Sequence, residues 1–294
     1  LQVSLGFLLN PTAAVLLFVV TFVGFFIHLF AVEYSEHDDS RGRFFGGMSI
    51  FMFSMTGIVL SSNLIMMFVF WELVGFSSYL LIGFNSDQKP AREAALQALL
   101  VTGAGGLALL AGFLLLGQAA GTLEISALLA KGDAVRSHPF YVPIFLLILA
   151  GAMTKSAQFP FHFWLPNAMQ APTPVSTYLH SATMVKAGVY LLARLSPVLA
   201  GTAIWENVVT PVGMITMLTG AFLSLLQTDL KLVLAYSTVS ALGVMTMMLG
   251  VGSQPAAEAA VMIDATSVPS ALPAMRRDSL SKKPGRCSAS SLRS

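Results

Sequence analysis

The hydrophobic pattern of the chain is a series of long apolar segments separated by short polar ones. A helix needs about 20 consecutive apolar residues to cross a hydrocarbon core about 30 Å thick. Eight segments approach that length, at residues 6–32, 44–61, 63–84, 94–118, 140–160, 176–197, 207–226 and 231–251. The pattern predicts an all-α integral membrane protein, with one transmembrane domain over residues 1–251 and a polar tail over residues 252–294.

The polar connections carry the basic residues from which orientation in the membrane can be predicted. Short cytoplasmic loops are enriched in Lys and Arg. One side of the predicted bundle collects Arg41, Arg43, Lys89, Arg92 and Lys231, and the other collects Lys131, Arg136 and Arg194. This distribution predicts that the first-to-second and third-to-fourth loops are cytoplasmic.

The fifth apolar segment is interrupted by prolines. Pro160 and Pro166 lie in an aromatic stretch, and Pro172 and Pro174 follow. Proline removes a backbone donor, and unpaired carbonyls at membrane depth are tolerated only against protein or a watery cavity. We therefore expect one discontinuous helix of the kind that often lies at ion sites in transporters. An ordinary interfacial loop with aromatic residues is the alternative.

Composition excludes several functional classes. Charged residues make up 10% of the chain and hydrophobic residues 55%, whereas a soluble domain carries about 25% charged residues. The formal net charge of +2 gives no support for a nucleic-acid partner. Cys287 is the single cysteine, so no disulfide forms within the chain. No Cys/His metal set, phosphate-binding glycine loop or nucleophile elbow is present in the sequence, and we predict no cofactor.

Three charged residues fall inside the predicted spans: Glu72, Lys155 and Lys186. A charge at the centre of a membrane helix costs about 2.5–3.5 kcal/mol on insertion scales, so such groups pair, face water or have a function. Structural pairing is the simplest interpretation, but one acid and two bases in neighbouring spans favour a proton relay. His180 is a natural intermediate because imidazole titrates near neutrality. On a continuous helix it is offset from Lys186 by about 120°, which requires a water link.

The other histidines are weaker candidates. His162 lies beside the predicted break, where a lone histidine is more often a satisfied hydrogen-bonding residue. His28, His37 and His138 lie near span ends or in loops, and we expect them to be solvated.

Several segments carry motifs that resemble a known superfamily. They are WELVGFSSYLLIGF at 71–84, TKSAQFP at 154–160 with WLP at 164–166, APTPVS at 171–176, HSATMVKAGVYLLAR at 180–194 and DLKLVLAYSTVS at 229–240. Together they resemble the antiporter-like superfamily, which includes the A subunit of Mrp-type sodium/proton antiporters and the proton-pumping membrane subunits of respiratory complex I. The resemblance covers about residues 1–262. It implies that Glu72 faces Lys155 and that His180 and Lys186 continue a relay.

Two features are more similar to the Mrp protein than to the distal complex I subunit: Lys186 and the glycine-rich residues 102–106. The resemblance thus implies a subunit of a sodium or other monovalent cation/proton antiporter, a secondary transporter rather than an enzyme. It implies a multi-pass protein of the cell inner membrane, with other membrane subunits, protons, cations and lipid as partners. The alternatives are a membrane subunit of NADH:quinone oxidoreductase, in which proton movement is driven by redox chemistry elsewhere, and an inactive truncated fragment.

The departures from the family pattern concern both ends of the chain. Family members begin with two further helices and continue, after the stretch resembling residues 254–262, into a helix that carries histidine and lysine. Here the sequence changes abruptly at Ile263, and residues 264–294 are rich in Ser, Pro, Arg and Lys. We expect a frameshift or misassembled reading frame at this point and a disordered or non-native tail.

Overall fold

The computed structural model describes residues 6–36 and 40–252, and this part of the chain is mostly helical. The helices are α1 (Pro11–Tyr34), α2 (Arg41–Leu60), α3 (Leu64–Ile82), α4 (Lys89–Ala120), α5 (Ile125–Leu129), α6 (Gly132–Arg136), α7 (Tyr141–Lys155), α8 (Trp164–Asn167), α9 (Thr173–Thr177), α10 (Lys186–Leu199), α11 (Ala203–Leu225) and α12 (Leu230–Gly250). Short 3₁₀ turns flank α8 at Phe161–Phe163 and Ala168–Gln170, and a π turn, Tyr178–Ala182, follows α9. The predicted all-α fold is confirmed.

Six described helices, α1 to α4, α11 and α12, are long and apolar enough to cross a membrane, and α7 is a shorter apolar helix. Helical residues lie in every predicted span, but α4 begins at Lys89 rather than residue 94 and α11 at Ala203 rather than residue 207. Three further differences affect the first span and the discontinuous segment. The first helix begins at Pro11 rather than residue 6, because the Asn10 side chain accepts a hydrogen bond from Ala13 N at 2.8 Å and caps the helix there. The other two differences concern the discontinuous segment.

The break in the fifth span lies five residues earlier than predicted, directly after Lys155. Ala157 has a positive φ of 47°, which an α-helix does not accommodate. The side chain of Trp164 turns back and donates from Nε1 to the carbonyl of Thr154 at 2.9 Å, so one acceptor freed at the helix end is satisfied. Trp164 is fully buried, which favours the discontinuous helix over an interfacial loop.

The predicted sixth span, 176–197, is not one helix. It comprises the end of α9, the π turn, an irregular stretch at 183–185 and α10. The backbone therefore carries two interruptions in succession, one after Lys155 and one before Lys186. Residues 156–158 of the first interruption and 183–185 of the second are buried in the bundle, whereas the first interruption reaches the surface at Phe159.

The bundle is built from neighbouring helix pairs. α4 packs between α3 and α7, α10 packs against α7, and α11 pairs with α12. Gly213 and Gly243 allow the last pair to approach closely, because a Cβ on either would collide with backbone atoms of the facing helix. Small residues serve this purpose in membrane helix pairs. Most residues of the predicted tail, 253–294, lie outside the described residues, as does His37.

Candidate functional site

Glu72 lies near the middle of α3 and points towards α4. Its Oε1 is buried and has no hydrogen-bond partner among the described residues. The carboxylate occupies the space left by Gly106 on α4, since a Cβ added there would collide with Oε1. The adjacent Gly105 leaves space for the side chain of Thr154 on α7 in the same way. The glycines of the 102–106 segment thus provide the room in which the acid sits, a role that the sequence did not indicate.

Lys155 approaches this acid from α7. It is 1% exposed, and its Nζ donates to the carbonyl of Trp71 at 3.1 Å and lies 5.3 Å from the centroid of the Trp71 ring. Trp71 precedes Glu72, and the carboxylate and the amine are close enough to interact electrostatically. Within the described ranges their nitrogen and oxygen atoms do not come within 4.0 Å. The structure therefore brings the two groups together without closing a direct ion pair.

The position of Lys155 differs in one respect from the prediction that it lies well inside a span. It is the last residue of α7. A helix carries a partial negative charge at its C-terminus, where the last carbonyls have no intrahelical partner. The break thus places the amine where the backbone itself favours a cation.

His180 lies in the π turn and is 3% exposed. Neither ring nitrogen has a hydrogen-bond partner among the described residues, and the ring centroid is 6.4 Å from that of Trp164. Lys186, at 1% exposure, is the first residue of α10. The predicted offset of about 120° between the two is wrong, because it assumed one continuous α-helix and the backbone is irregular between them.

A close contact joins the two broken ends. Ser156 Oγ, one residue after Lys155, accepts a hydrogen bond from Val189 N at 3.1 Å. Gly188, two residues after Lys186, packs so closely on α7 that a Cβ would collide with the carbonyl oxygen of Ala152. The start of α10 is therefore fixed against the end of α7.

Lys231 is a residue whose placement the sequence did not predict. The sequence predicts a loop position for Lys231, but its Nζ donates to the carbonyls of Ala171 at 3.3 Å and Met169 at 3.5 Å. Its positive charge is close enough to His180 to interact with it electrostatically. The sequence signal for this position is the DLK motif at 229–231.

Arg194 was counted among the loop charges, and this assignment is wrong. Arg194 is 3% exposed in α10, where Nη1 donates to the carbonyl of Val59 at 2.6 Å and Nη2 to that of Ser61 at 2.7 Å. It also donates to the hydroxyl of Tyr190, which itself donates to Val59 O at 2.9 Å. The guanidinium satisfies carbonyls that the C-terminus of α2 leaves without partners. It is therefore not a marker of loop orientation.

The remaining histidines are spread over the bundle. His162 is partly exposed and stacks on Phe159 with ring centroids 5.8 Å apart. His28 was expected to be solvated, but it is half-buried within α1, with Nδ1 2.7 Å from Gly24 O. His138 is also half-buried, and its Nδ1 accepts from Phe140 N at 3.2 Å. In the part of the chain that the structure describes, no cluster of three His, Cys, Asp or Glu side chains could hold a metal ion.

The arrangement as a whole places one carboxylate, two amines and one imidazole at a double interruption of the bundle. Buried polar atoms without protein partners require water or have a functional use. A carboxylate, an amine and an imidazole can each bind and release a proton.

The family models and the relatives that match this chain agree with one another. The family described as "NADH:quinone oxidoreductase/Mrp antiporter, TM" matches residues 61–266, and "NADH-Ubiquinone oxidoreductase (complex I), chain 5 N-terminus" matches residues 1–45. The A/B subunit of a "Probable K(+)/H(+) antiporter" of Rhizobium meliloti is 51% identical over 262 residues, which is 88% of this chain and 26% of the relative. A "Putative antiporter subunit mnhA2" of Staphylococcus aureus is 46% identical over 253 residues, 86% of this chain and 32% of the relative.

A solved structure shares the fold. A chain of the Mrp complex from Dietzia sp. DQ12-45-1b is 37% identical with a TM-score of 0.79, covering 88% of this chain and 29% of that one. The chain therefore spans about a quarter to a third of the length of these three relatives.

Proposed function

This chain belongs to the NADH:quinone oxidoreductase/Mrp antiporter family of membrane proteins, and on that premise we propose that it acts as a subunit of a monovalent cation/proton antiporter. The resemblance inferred from the motifs is confirmed by the family match, and so is the predicted location as a multi-pass protein of the inner membrane. We further propose that protons move through Glu72, Lys155, His180 and Lys186, and that other membrane subunits complete the complex.

The observation that carries the relay is the position of Lys155 beside Glu72 at the end of α7. The amine has one backbone acceptor, Trp71 O at 3.1 Å, and lies near the carboxylate without direct contact. In apolar surroundings, an amine loses its proton more readily when a carboxylate moves away and holds it more tightly when the carboxylate approaches. A small movement of α3 relative to the end of α7 would therefore load or release a proton.

The second half of the proposed route runs along the broken sixth span. A proton released from Lys155 needs an acceptor, and His180 supplies an imidazole with both nitrogens unpartnered in the described structure. Lys186 lies beyond the π turn, on the helix that Ser156 fixes to α7. Water would complete the hydrogen-bonded path, since the side chains stand on separate backbone segments.

A redox-driven proton pump is the second candidate, because residues 1–45 match a complex I description. The two relatives reported above, at 46–51% identity, are named as antiporter subunits, and this favours the exchanger. The identity of the cation follows from neither observation. We therefore leave the choice between Na⁺ and K⁺ to experiment.

The proposal can be tested with a chimaera of this chain and a full-length relative. Residues 6–252 replace the aligned segment of the R. meliloti protein, and everted membrane vesicles report cation-dependent collapse of a proton gradient on addition of Na⁺ or K⁺. We expect exchange with the unmodified segment and at least a tenfold loss with Glu72→Gln or Lys155→Met.

The matched control is Glu93→Gln on α4, an exposed acid that pairs with Lys89 at 3.6 Å on the surface. It should exchange normally. Normal exchange by both Glu72→Gln and Lys155→Met would reject the relay. A proton leak that responds to neither cation would favour the redox-pump alternative, and the unfused chain measured in parallel tests whether it transports alone.

A further inference from the structure

A groove opens on the outer side of α2, α3 and α4, away from the buried acid and lysines. Its volume is about 600 Å³. Three apolar side chains on its walls remain strongly exposed: Ile50 at 44%, Leu80 at 44% and Leu96 at 51%. Gly46 forms part of its lining, and a Cβ added there would meet no atom within 4 Å. The groove is thus an open apolar channel between three helices.

Two arginines stand at one end of this groove. Arg43 lies in the first turn of α2 and Arg92 in the first turn of α4. Arg43 donates to Phe84 O at 2.9 Å and lies 4.8 Å from the centroid of the Phe84 ring, while Arg92 donates to Ser86 O at 2.6 Å. Both guanidinium groups are therefore fixed to the short turn that follows α3.

These contacts leave donors available for a ligand. A guanidinium has five N–H donors, and each arginine uses one nitrogen on a backbone carbonyl. No acidic side chain is among the described residues that line the groove. Guanidinium pairs of this kind match the oxygen geometry of a phosphate group.

The order of charge and apolar surface indicates which ligand fits. Ile50 lies seven residues below Arg43 on α2, which is about 10 Å along the helix, and Leu96 lies four residues below Arg92, about 6 Å. The groove therefore runs from a cationic end at the helix termini into the hydrocarbon. A lipid with an anionic headgroup has the same polarity along its length. A neighbouring protein helix, in contrast, need not carry a negative group at the position of the two arginines.

We propose that this groove binds an anionic glycerophospholipid, with its phosphate between Arg43 and Arg92 and one acyl chain along Ile50, Leu80 and Leu96. Basic pockets between membrane helices bind such headgroups in general. The site is separate from the proposed relay, and its test does not depend on transport.

The experiment measures lipid retention by native mass spectrometry of the purified full chain in detergent, with dioleoylphosphatidylglycerol added against dioleoylphosphatidylcholine. We expect preferential retention of phosphatidylglycerol and a loss of about fivefold in its apparent affinity for Arg43→Gln and for Arg92→Gln, the factor that corresponds to about 1 kcal/mol per basic residue near a membrane surface. Gly46→Leu should weaken retention of both lipids, because its side chain enters the acyl path.

Two matched controls lie on the same helix outside the groove. Arg41 stacks over Phe45, and a Cβ added at Gly42 meets no atom within 4 Å. Arg41→Gln and Gly42→Leu should retain phosphatidylglycerol like the parent chain. Equal retention of the two lipids, or equal loss in groove and control variants, would overturn the proposal. So would a photoreactive residue at Leu80 that cross-links to protein rather than lipid in native membranes.

Discussion

Two buried cations in this bundle have opposite environments. Arg194, 3% exposed, directs both terminal nitrogens at carbonyls that end α2 and contacts the Tyr190 hydroxyl. Lys155, 1% exposed, donates to one carbonyl, that of Trp71. The sequence gives both the same appearance, a basic residue in or near an apolar segment. The structure shows that one holds two helices together and the other lies beside a carboxylate it does not touch.

The comparison of Arg194 with Lys155 shows that burial of a charged residue does not by itself indicate a function. A buried charge whose donors are satisfied stabilises one conformation, whereas a buried polar group without a partner carries a desolvation cost of about 1–3 kcal/mol that something else must offset. In the described part of the chain, Glu72 Oε1, Gln158 Oε1 and both His180 nitrogens are of the second kind, and so is Arg194 Nε, although both terminal nitrogens of Arg194 are hydrogen-bonded. Because Ser62 and Thr246 also have buried side-chain atoms without partners, the candidate site is distinguished by the combination of such atoms with the Glu72 carboxylate and the Lys155 amine.

The largest effect expected from this comparison is on stability at Arg194. Arg194→Met should lower the free energy of unfolding by about 3 kcal/mol or more, because buried carbonyls of α2 lose their donors. Lys155→Met should change it by less than about 1 kcal/mol, since it removes a costly buried charge along with one hydrogen bond. Chemical unfolding in detergent, followed by circular dichroism, measures both. Equal destabilisation by the two variants would contradict the structural role assigned to Arg194 and the different role assigned to Lys155.

An intermediate effect is expected at the glycines of α4. Gly105→Ala should destabilise by about 1–3 kcal/mol, because the new Cβ collides with the branched side chain of Thr154. Gly106→Ala collides with the flexible end of Glu72, so it should displace the carboxylate and reduce exchange about tenfold with little change in stability. Gly103→Ala is the control, since its Cβ meets no atom within 4 Å.

The control variant should stabilise α4 by about 0.5–1 kcal/mol through helix propensity. The free energy of unfolding and the rate of exchange are measured for each of the three variants. A loss of exchange in Gly103→Ala, or none in Gly106→Ala, would contradict the assigned position of Glu72.

The smallest effect is expected from a pair of tyrosines. Both are fully buried, but the Tyr190 hydroxyl donates to Val59 O at 2.9 Å whereas the Tyr178 hydroxyl has no partner among the described residues. Tyr190→Phe should cost about 1 kcal/mol, and Tyr178→Phe should be neutral or slightly stabilising. Thermal unfolding of both variants decides the matter. If Tyr178→Phe is the more destabilised, water bridges its hydroxyl and the comparison needs revision.

Hydrophobic length and proline placement were sufficient to predict every long helix and the existence of a break. They were insufficient for the position of the break, because the helix ends where Ala157 changes the backbone direction, before the first proline. The π turn around His180 carries no sequence signal, so the predicted geometry towards Lys186 failed. The space that Gly106 provides for Glu72 depends on which faces of α3 and α4 pack together. The hydrophobic pattern of the sequence does not determine this relative orientation.

The environment of Arg194 could not be predicted from the sequence for the same reason. A basic residue near the end of an apolar segment has one appearance in sequence, whether it faces water or the carbonyls of another helix. Tertiary packing decides between the two.

The shortness of α7 has an electrical consequence. The helix has 15 residues and rises about 21 Å from Tyr141 to Lys155, about two-thirds of a hydrocarbon core about 30 Å thick. Under the proposed relay, and with α7 along the membrane normal, a proton that reached Lys155 from the Tyr141 side would cross about two-thirds of the membrane voltage. At about 2.3 kcal/mol per charge for each 100 mV, two-thirds of a 100 mV potential corresponds to about 1.5 kcal/mol. Under the proposed relay, the occupancy of this amine by a proton would then respond to the membrane potential as well as to pH.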